Sequence, residues 1–380
     1  MNVAAGTLGW RHAERVLCVR LDNMGDVLMT TPALRALRRG AAGRRLTLLA
    51  SRSGAAVAPF VPDVDEVIVF DAPWMKPRGS APRQDLDLVA ELRKRRFDAA
   101  VIFTVYSQSP LPAAYLCYLA GIPLRLAHCR ENPYGLLTDW VPDPEPREHI
   151  RHEVRRQLDL AKTIGCRTDD ERLSFTVPPR ARAAAQRVLA RAGIADCSTL
   201  IVVHPGASAA SRRYPALRYA QAMDLLLQRI PEAAVIYTGS ADEAALVETI
   251  RKAMARASHS LVGQLDVAEL GALLERASLL VANNTGPVHI AAALGTPVVD
   301  LYALTNPQHA PWQVRSEILF CDVPCRFCYR SVCPAGHHAC LAGVEPQAVA
   351  AAAERLLNEP AAGAAEPLAT SPLALYAAVH

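Results

Sequence analysis

Apolar and polar residues follow one another along this chain in a regular rhythm that predicts an α/β protein. Short continuous apolar runs, typical of buried parallel strands, alternate with longer segments of helical periodicity. In the first half the predicted helices include residues 85–95 and 112–120, and the predicted strands are residues 15–21, 46–50, 64–70, 98–103 and 125–128.

The second half repeats this rhythm. Its predicted strands are residues 199–204, 234–238, 260–262, 279–282 and 297–301. Its predicted helices are residues 215–229, 242–257, 267–276 and 288–294. Between the halves, a helical pattern over residues 149–165 leads to a short strand-like stretch over 173–177, and Pro178-Pro179 then marks a break.

The repeated layout predicts two doubly wound, Rossmann-like domains that face each other across a cleft. We expect an N-terminal extension over residues 1–14, domains over 15–180 and 181–357, and a tail over 358–380 with a docking segment at 372–378. Ligands of open α/β sheets bind beyond the carboxyl ends of the strands. The candidate sites are therefore turns that directly follow strands.

Composition and charge exclude several classes of protein. Of the 380 residues, 51% are hydrophobic and 21% are charged, which excludes a disordered or collagen-like chain. A formal net charge of +4 is too balanced for a general nucleic-acid binder. No apolar run approaches the roughly 18 residues of a spanning helix, and the first residues lack the pattern of a secretory signal. We therefore expect a cytoplasmic protein.

The turn after the first predicted strand, in RLDNMGDVL, contains Asp22, Asn23, Gly25 and Asp26. Gly25 allows a tight turn, and a carboxylate at position 26 favours the start of a helix. Asp26 could be only a helix-capping carboxylate, or it could be a general base that takes a proton from an acceptor hydroxyl. The turn lacks the G-x-G-x-x-G pattern, which disfavours an NAD site.

The turn after the first strand of the second half, HPGASAASRRYP, combines small residues with two arginines. Gly206, Ala207 and Ser208 allow backbone N–H groups to approach an anion, and Arg212 could bind phosphate oxygens with two donors. A connection with merely solvated arginines would have the same composition. The pattern G-x-x-x-x-G-K-[ST] is missing, so this is not a P-loop.

Two further turns follow strands of the second half. In YTGSADEA, Asp242 or Glu243 could bind a ribose hydroxyl or could be a helix N-terminal carboxylate. In NNTGPVHIAAALGTP, Asn283, Asn284, Thr285 and Gly286 precede a helix whose unpaired N–H groups suit a diphosphate. His289 lies in the first turn of that helix, where it could donate to phosphate or simply be packed.

Half of the ten cysteines lie in one predicted loop, residues 321–340. The loop contains His337 and His338, and a tetrahedral zinc site could use Cys325, Cys328, Cys333 and Cys340. Only one C-x-x-C pair is present and the later spacings are irregular, so a set of reduced thiols remains open beside zinc. Either way, we expect the segment to be a structural core for a long loop near the acceptor side.

Taken together, RLDNMGDVLMTTPALRAL, HPGASAASRRYP and NNTGPVHIAAALGTPVVDLY resemble glycosyltransferase family 9, the ADP-heptose:lipopolysaccharide heptosyltransferases, over roughly residues 15–357. The cysteine-rich segment is also similar to one in many members. The resemblance implies a GT-B fold of two Rossmann-like domains, with the acceptor in the first and the nucleotide sugar in the second. It also implies heptose transfer with inversion and without a covalent intermediate, from ADP-heptose to a glycan, with the lipopolysaccharide inner core favoured.

The resemblance further implies roles for single residues. Asp26 falls on the catalytic base, with Asp22, Asn23 and Gly25 on the acceptor side. Asn284 stands where some members have aspartate. Implied donor contacts are Ser208 and Arg212 to the diphosphate, Glu243 to ribose, Leu265 to adenine, and Thr285, Gly286 and His289 in the phosphate-binding turn.

Other functions remain open from the sequence alone. A nucleotide-sugar epimerase of the same architecture would need no separate acceptor, and a sugar-nucleotide-binding protein would do no chemistry. A transferase could also use a small molecule outside lipopolysaccharide. No cofactor is required for the transfer, and a lipid-linked acceptor would imply peripheral contact with the inner membrane.

Overall fold

The computed structural model describes residues 9–75, 82–195, 197–358 and 372–377. Parts of the predicted N-terminal extension (1–8) and of the predicted tail (359–371 and 378–380) lie outside this description. The chain divides into two compact units, Met1–Ser174 and Phe175–His380. Sequence analysis places the boundary at residue 180.

Within the described residues, the first unit contains a six-stranded parallel sheet, in the order β3-β2-β1-β4-β5-β6. Its strands are β1 (Arg15–Arg20), β2 (Arg45–Ala50), β3 (Glu66–Val69), β4 (Ala99–Ile102), β5 (Leu124–Cys129) and β6 (Asp139–Pro142). Its helices are α1 (Met24–Arg39), α2 (Arg52–Ala55), α3 (Pro82–Arg95), α4 (Leu111–Leu119) and α5 (Glu153–Thr163), with 3-10 turns at Trp10–His12 and Ala58–Phe60.

Within the described part of the second unit, another six-stranded parallel sheet has the order β12-β11-β10-β7-β8-β9. Its strands are β7 (Leu200–His204), β8 (Ala234–Tyr237), β9 (His259–Ser260), β10 (Leu279–Asn283), β11 (Val298–Leu301) and β12 (Ser316–Leu319). Its helices are α6 (Pro179–Arg191), α7 (Ala216–Arg229), α8 (Ala244–Ala253), α9 (Val267–Arg276), α10 (Gly286–Leu294), α11 (Ala339–Ala342), α12 (Pro346–Asn358) and α13 (Pro372–Ala377), with 3-10 turns at Ala210–Arg212 and Ala241–Glu243.

Both sheets have the strand order of a dinucleotide-binding Rossmann fold, when each is numbered from its own first strand. The predicted fold class, α/β with two Rossmann-like doubly wound domains of the GT-B type, is therefore confirmed. Val16, Leu17 and Cys18 of β1 are fully buried, as expected of a central strand covered by helices on both faces. Because all strands of a sheet run in parallel, their carboxyl ends share one edge, and the turns singled out above follow those ends.

The predicted strand over 173–177 is wrong, because these residues pair with no sheet neighbour. Ser174 N instead donates to Thr31 Oγ1, at 2.9 Å, and the chain passes there from one unit to the next. Two edge strands, β6 and β12, are absent from the prediction because their four residues, none of them buried, do not form a long apolar run.

The predicted helix over 242–257 is also too long. The structure begins it with a 3-10 turn and ends it at Ala253, since the next residue is extended. The N–H groups of Ala255 and Arg256 are bound instead by the Asp224 carboxylate, at 2.8 and 3.1 Å. This side chain, distant in sequence, decides where the helix ends.

Part of the predicted docking segment, 372–378, forms α13. Leu375 of α13 packs against a small core that includes Tyr302, Leu304 and Val323. Its Tyr376 ring meets the Phe327 ring edge-on, with centroids 5.5 Å apart. In the part of the chain that the structure describes, no helix has both the length and the hydrophobicity needed to cross a bilayer.

Candidate active site

Asp26 lies in the first turn of α1, directly beyond the carboxyl end of β1. Its Oδ2 accepts a hydrogen bond from Asn23 N at 3.1 Å, which completes a capping box at the start of the helix. Its Oδ1 lies 3.3 Å from Arg20 Nη2, and the side chain is 14% exposed. Gly25 belongs to the same first helical turn. Asp26 is therefore a helix-capping carboxylate that remains partly accessible.

Arg20 is a functional candidate that sequence analysis missed. Its side chain is fully buried at the end of β1, where Nε lies 3.0 Å from Asp22 Oδ2 and Nη2 lies 2.8 Å from Glu153 Oε1. An arginine is almost never fully buried unless it is paired. Its position inside the apolar run RVLCVRL was the available signal, but the run does not reveal the partner on α5.

Asp22 carries a second carboxylate at this edge. Its Oδ1 accepts a hydrogen bond from Gln108 Nε2 at 2.5 Å. Burial raises the pKa of Asp22 to about 6, and the Asp26 and Glu153 carboxylates act in the same direction, whereas Arg20 and the Gln108 hydrogen bond lower it. The cluster thus gathers three carboxylates around one arginine.

Two cavities, of about 450 and 310 Å³, adjoin this carboxylate cluster within the first unit. Both are lined by Leu21, Asp22, Met75 and Gln108, so they meet at the turn after β1. The larger also reaches Ser51, Ser53 and Asp71, and the smaller reaches Trp74, Thr104 and Ser107. Hydroxyl groups, a carboxylate and an indole ring form a lining suited to a polyhydroxylated ligand.

In the second unit, Glu243 joins the turns that follow β7 and β8. Its carboxylate packs so closely on Gly206 that a Cβ there would lie 1.8 Å from Oε1, and a Cβ on Gly239 would lie 2.8 Å from Oε2. Only glycine at position 206 leaves Glu243 in this place. Burial lowers the pKa of His204, and the nearby Glu243 opposes that shift. Glu243 also accepts a hydrogen bond from Ser240 N at 2.8 Å.

Asn283, at the end of β10, ties two of the predicted turns together. Its side chain accepts from Tyr214 N at 3.0 Å and donates to Pro205 O at 2.7 Å. It is fully buried, so these hydrogen bonds hold both ends of the Gly206–Arg212 turn against the start of α10. The sequence places Asn283 in the turn before α10 but does not predict this linking role, because an amide in a turn does not reveal which strand ends it will join.

The turn predicted to bind an anion leads into the start of α10. Thr285 is the extended N-cap residue, Gly286 begins the helix, and His289 is buried in its first turn. Leu265 is half-buried in the turn before α9, in the loop where Gly263 N donates to Gly239 O at 2.9 Å. Ser208 is exposed. All these residues lie beyond the carboxyl ends of strands in the second unit.

Asn284 donates to Asp300 Oδ2 at 2.8 Å and to His309 O at 2.9 Å. Asp300 is fully buried, and within the described residues its Oδ1 has no hydrogen-bond partner. Burial raises the pKa of Asp300 to about 8, and the hydrogen bond from Asn284 opposes this only in part. Sequence analysis missed Asp300, since a single aspartate in PVVDLY does not show that it will be buried.

This pKa predicts how stability depends on pH. In the folded protein Asp300 keeps its proton up to its pKa of about 8, whereas in the unfolded chain it releases that proton above about pH 4. Buried Asp300 therefore lowers the free energy of unfolding progressively between about pH 4 and pH 8, and by a constant amount above pH 8. We expect Asp300→Asn to raise Tm relative to wild type by an amount that grows from pH 5 to pH 8 and then levels off, at roughly 2–4 °C per kcal/mol. Thermal unfolding at pH 5, 7 and 9 measures this. A Tm difference that is the same at all three pH values would contradict it.

Arg212 is held over the end of β11 by the cysteine-rich loop. Its neighbour Ser211 donates through Oγ to Arg330 O at 2.7 Å and through N to Ser331 O at 3.1 Å. Burial raises the pKa of Tyr302, and the Arg212 guanidinium opposes this, so the two groups are close. Phe327 N also donates to Leu304 O, at 2.6 Å. The cysteine-rich loop therefore supports the Arg212 turn, a role that sequence analysis did not assign to it.

The predicted metal ligands are only partly gathered. All ten cysteines are free thiols. Cys325 Sγ and His337 Nε2 are 3.8 Å apart. In the described segments, no group of three His, Cys, Asp or Glu side chains has an arrangement that would hold a metal ion. Zinc and a set of reduced thiols thus remain alternatives for measurement.

Comparison with known proteins relates this geometry to a family. Residues 86–339 match the family model described as glycosyltransferase family 9 (heptosyltransferase). The chain is 25% identical over 299 residues to lipopolysaccharide heptosyltransferase 3 of Escherichia coli strain K12, covering 77% of this chain and 83% of that protein.

Two solved structures resemble the fold over nearly the whole chain. The glycosyl transferase family 9 protein of Veillonella parvula has a TM-score of 0.75 at 22% identity, covering 93% of this chain and 99% of that one. Escherichia coli ADP-heptose lps heptosyltransferase II has a TM-score of 0.70 at 23% identity, covering 90% of this chain and 98% of that one. The family match covers well over half of the sequence, and this chain belongs to glycosyltransferase family 9, the heptosyltransferases.

Proposed function

We propose that this protein transfers a heptose from ADP-heptose to a hydroxyl group of a glycan, with inversion and with Asp26 as the general base. The observation that supports this most is the partly exposed Asp26 carboxylate, whose hydrogen-bond donor Asn23 lines the larger of the two cavities in the first unit. The turns beyond the strand ends of the second unit provide the residues that, in this proposal, bind the diphosphate of the donor. The similarity to Escherichia coli ADP-heptose lps heptosyltransferase II supports ADP-heptose as the donor.

In the proposed reaction, Asp26 accepts the proton of the acceptor hydroxyl as that oxygen attacks the anomeric carbon. The new carbon–oxygen bond forms while the bond between the anomeric carbon and the diphosphate oxygen breaks, so the configuration inverts. ADP leaves with the bonding electrons, and Asp26 later passes its proton to solvent. General-base catalysis of this kind contributes about 10²–10⁴-fold to the rate.

The second unit would stabilise the charge that develops on the departing diphosphate. In this proposal Arg212, Ser208 and the N–H groups at the start of α10 bind phosphate oxygens, because a cation and a helix N-terminus both favour an anion. His289, buried in the same helical turn, adds a donor. Glu243 binds the ribose and Leu265 contacts the adenine.

The proposed acceptor is a sugar of the lipopolysaccharide inner core. The names of the curated relatives support this class, and the hydroxyl-rich lining of the two cavities is compatible with it. An acceptor of this kind is carried on a lipid, so we also propose that the protein meets the inner-membrane surface during turnover.

Incubation of the protein with ADP-heptose tests the proposal. We expect ADP release that depends on added inner-core acceptor, and a heptosylated product detected by mass spectrometry. An epimerised sugar nucleotide without acceptor, or a bound but unchanged donor, would contradict it. A parallel series with UDP-sugars and GDP-sugars tests the choice of adenine.

The structural zinc predicted for the cysteine-rich loop has its own test. The Cys325 thiol and the His337 imidazole, 3.8 Å apart, would supply one sulfur and one nitrogen ligand to a Zn²⁺ ion. If the loop binds zinc, protein purified without chelators should contain about one zinc per chain. Cys325→Ser should lose this zinc, whereas Cys197→Ser, outside the loop, should retain it. Zinc well below one per chain in the wild type would reject the site.

A further inference from the structure

The buried ion cluster behind Asp26 suggests how the base is held. We propose that Arg20 is a positioning residue for the Asp26 carboxylate and that Glu153 of α5 holds Arg20 in place. This inference rests on the proposed role of Asp26 as the base. It assigns a catalytic purpose to a helix that contributes no residue to the predicted site.

Arg20 links the two carboxylates through one atom. Its Nη2 lies 2.8 Å from Glu153 Oε1 and 3.3 Å from Asp26 Oδ1, and its side chain is completely buried. A guanidinium is rigid and planar, so binding Glu153 fixes the direction in which the same group meets Asp26. The ion pair with Glu153 therefore determines where Arg20 presents its charge.

Glu153 is itself immobilised. It is fully buried in the first turn of α5, where a carboxylate suits the helix dipole. Its Oε1 also accepts a hydrogen bond from Gln157 Nε2 at 2.7 Å, and the same amide lies 3.1 Å from Thr104 O, beyond β4. A continuous set of polar contacts thus runs from the end of β4 through α5 to Arg20 and Asp26.

The arrangement orients Asp26 from two sides while leaving its side chain partly exposed. One carboxylate oxygen accepts from the Asn23 N–H and the other faces Arg20, so the plane of the group is set from both sides. With 14% exposure, the side chain stays accessible from the solvent. A base that is oriented before the acceptor arrives avoids reorganisation during the reaction.

Arg20→Lys tests the positioning directly. Lysine keeps the positive charge, but its ammonium lacks the planar group that meets Asp22 through Nε and both Glu153 and Asp26 through Nη2. We expect kcat to fall by about 10²-fold, a loss typical of a reacting group displaced by 1 Å. The KM for ADP-heptose should stay unchanged, because the donor site lies in the other unit.

Arg44→Lys is the matched control for replacing a buried arginine. Arg44 is 1% exposed in the same unit, and it donates to the backbone carbonyls of Ala13 and Leu37, both at 2.8 Å. We expect this variant to lose thermal stability while keeping the wild-type kcat. If Arg44→Lys and Arg20→Lys lower kcat equally, the loss reflects general destabilisation and the inference is wrong.

Glu153→Gln tests how the charge of Glu153 affects the ionisation of Asp26. This variant also keeps the inference testable if Arg20→Lys does not fold. The charged groups of this cluster that surround Asp26 are Arg20 on β1, Asp22 in the turn and Glu153 on α5. Removing one of the negative charges favours the ionised base, so the acid limb of kcat/KM against pH should move to lower pH. A purely structural glutamate would lower activity without moving this limb.

Glu145→Gln is the control for that measurement. Glu145 is equally buried and is paired with Arg151 at 2.9 Å, but it does not contact Arg20 or Asp26. The acid limb of kcat/KM against pH for Glu145→Gln should match that of the wild type. An unmoved limb in Glu153→Gln, or an equal movement in Glu145→Gln, would overturn the inference.

The experiment separates failure of this inference from failure of the proposed function. If Asp26→Asn keeps wild-type turnover, Asp26 is not the base and the proposed mechanism fails with the inference. If Asp26→Asn is inactive while Arg20→Lys retains kcat and Glu153→Gln retains the acid limb, the base stands and the positioning role of Arg20 is wrong.

Discussion

Asp26→Asn is expected to lower kcat by about two to four orders of magnitude, the usual contribution of a general base. The amide cannot take the proton of the acceptor hydroxyl, yet its oxygen can still accept the hydrogen bond from Asn23 N that starts α1. The fold should therefore survive, and the affinity for ADP-heptose should stay near that of the wild type. Steady-state kinetics with saturating donor, together with calorimetric titration of ADP-heptose, measure both quantities.

Asp224→Asn is a suitable control for this substitution. Asp224, like Asp26, is an aspartate whose carboxylate accepts from backbone N–H groups, here those of Ala255 and Arg256. We expect it to keep kcat within a factor of about two, since it touches no candidate site residue. Wild-type turnover by Asp26→Asn would remove the base from the proposed mechanism.

Arg212→Gln should produce the second large effect, a loss of about 10²–10³-fold in kcat. This is the loss seen when one preorganised donor to a developing negative charge is removed. Ser211 would still bind the cysteine-rich loop, so the turn should keep its position while the leaving diphosphate loses its cation. The measurements are kcat for transfer and the Kd of ADP.

Arg229→Gln is the control for Arg212→Gln. This arginine forms a surface pair with Glu354 at 2.7 Å, away from the turns beyond β7 and β10. Arg229→Gln should change neither constant, since exposed pairs contribute little. If Arg212→Gln weakens ADP binding but leaves kcat at the wild-type level, Arg212 is a ground-state contact and does not stabilise the departing group.

Much of the fold could be predicted from local sequence because parallel strands buried on both faces need continuous apolar runs. That requirement makes β1, β7, β8 and β10 predictable and places the candidate turns directly after them. It failed for β6 and β12, edge strands whose residues are half-exposed. It also assigned a strand to residues 173–177, which are partly apolar but lack a sheet partner.

The candidate site could be predicted only as separate turns. Asp26, Arg212 and the segment that begins α10 each have a local signal, namely a helix-starting carboxylate, a small-residue turn with arginine, and a Pro-led helix after a strand. For the residues that orient them, Arg20 and Asn283, the local sequence does not reveal the partners, because these come from elements far away in the chain.

The order of residues along the chain determined two α/β units and the kinds of groups at the ends of their strands, since hydrophobic period and turn chemistry act over a few neighbouring residues. Tertiary structure alone decided that Glu153 of α5 would pair with Arg20 behind Asp26, and that Arg330 would support the turn of Arg212. Burial makes such contacts specific, because a charged or polar group removed from water must find its partner wherever the fold brings one.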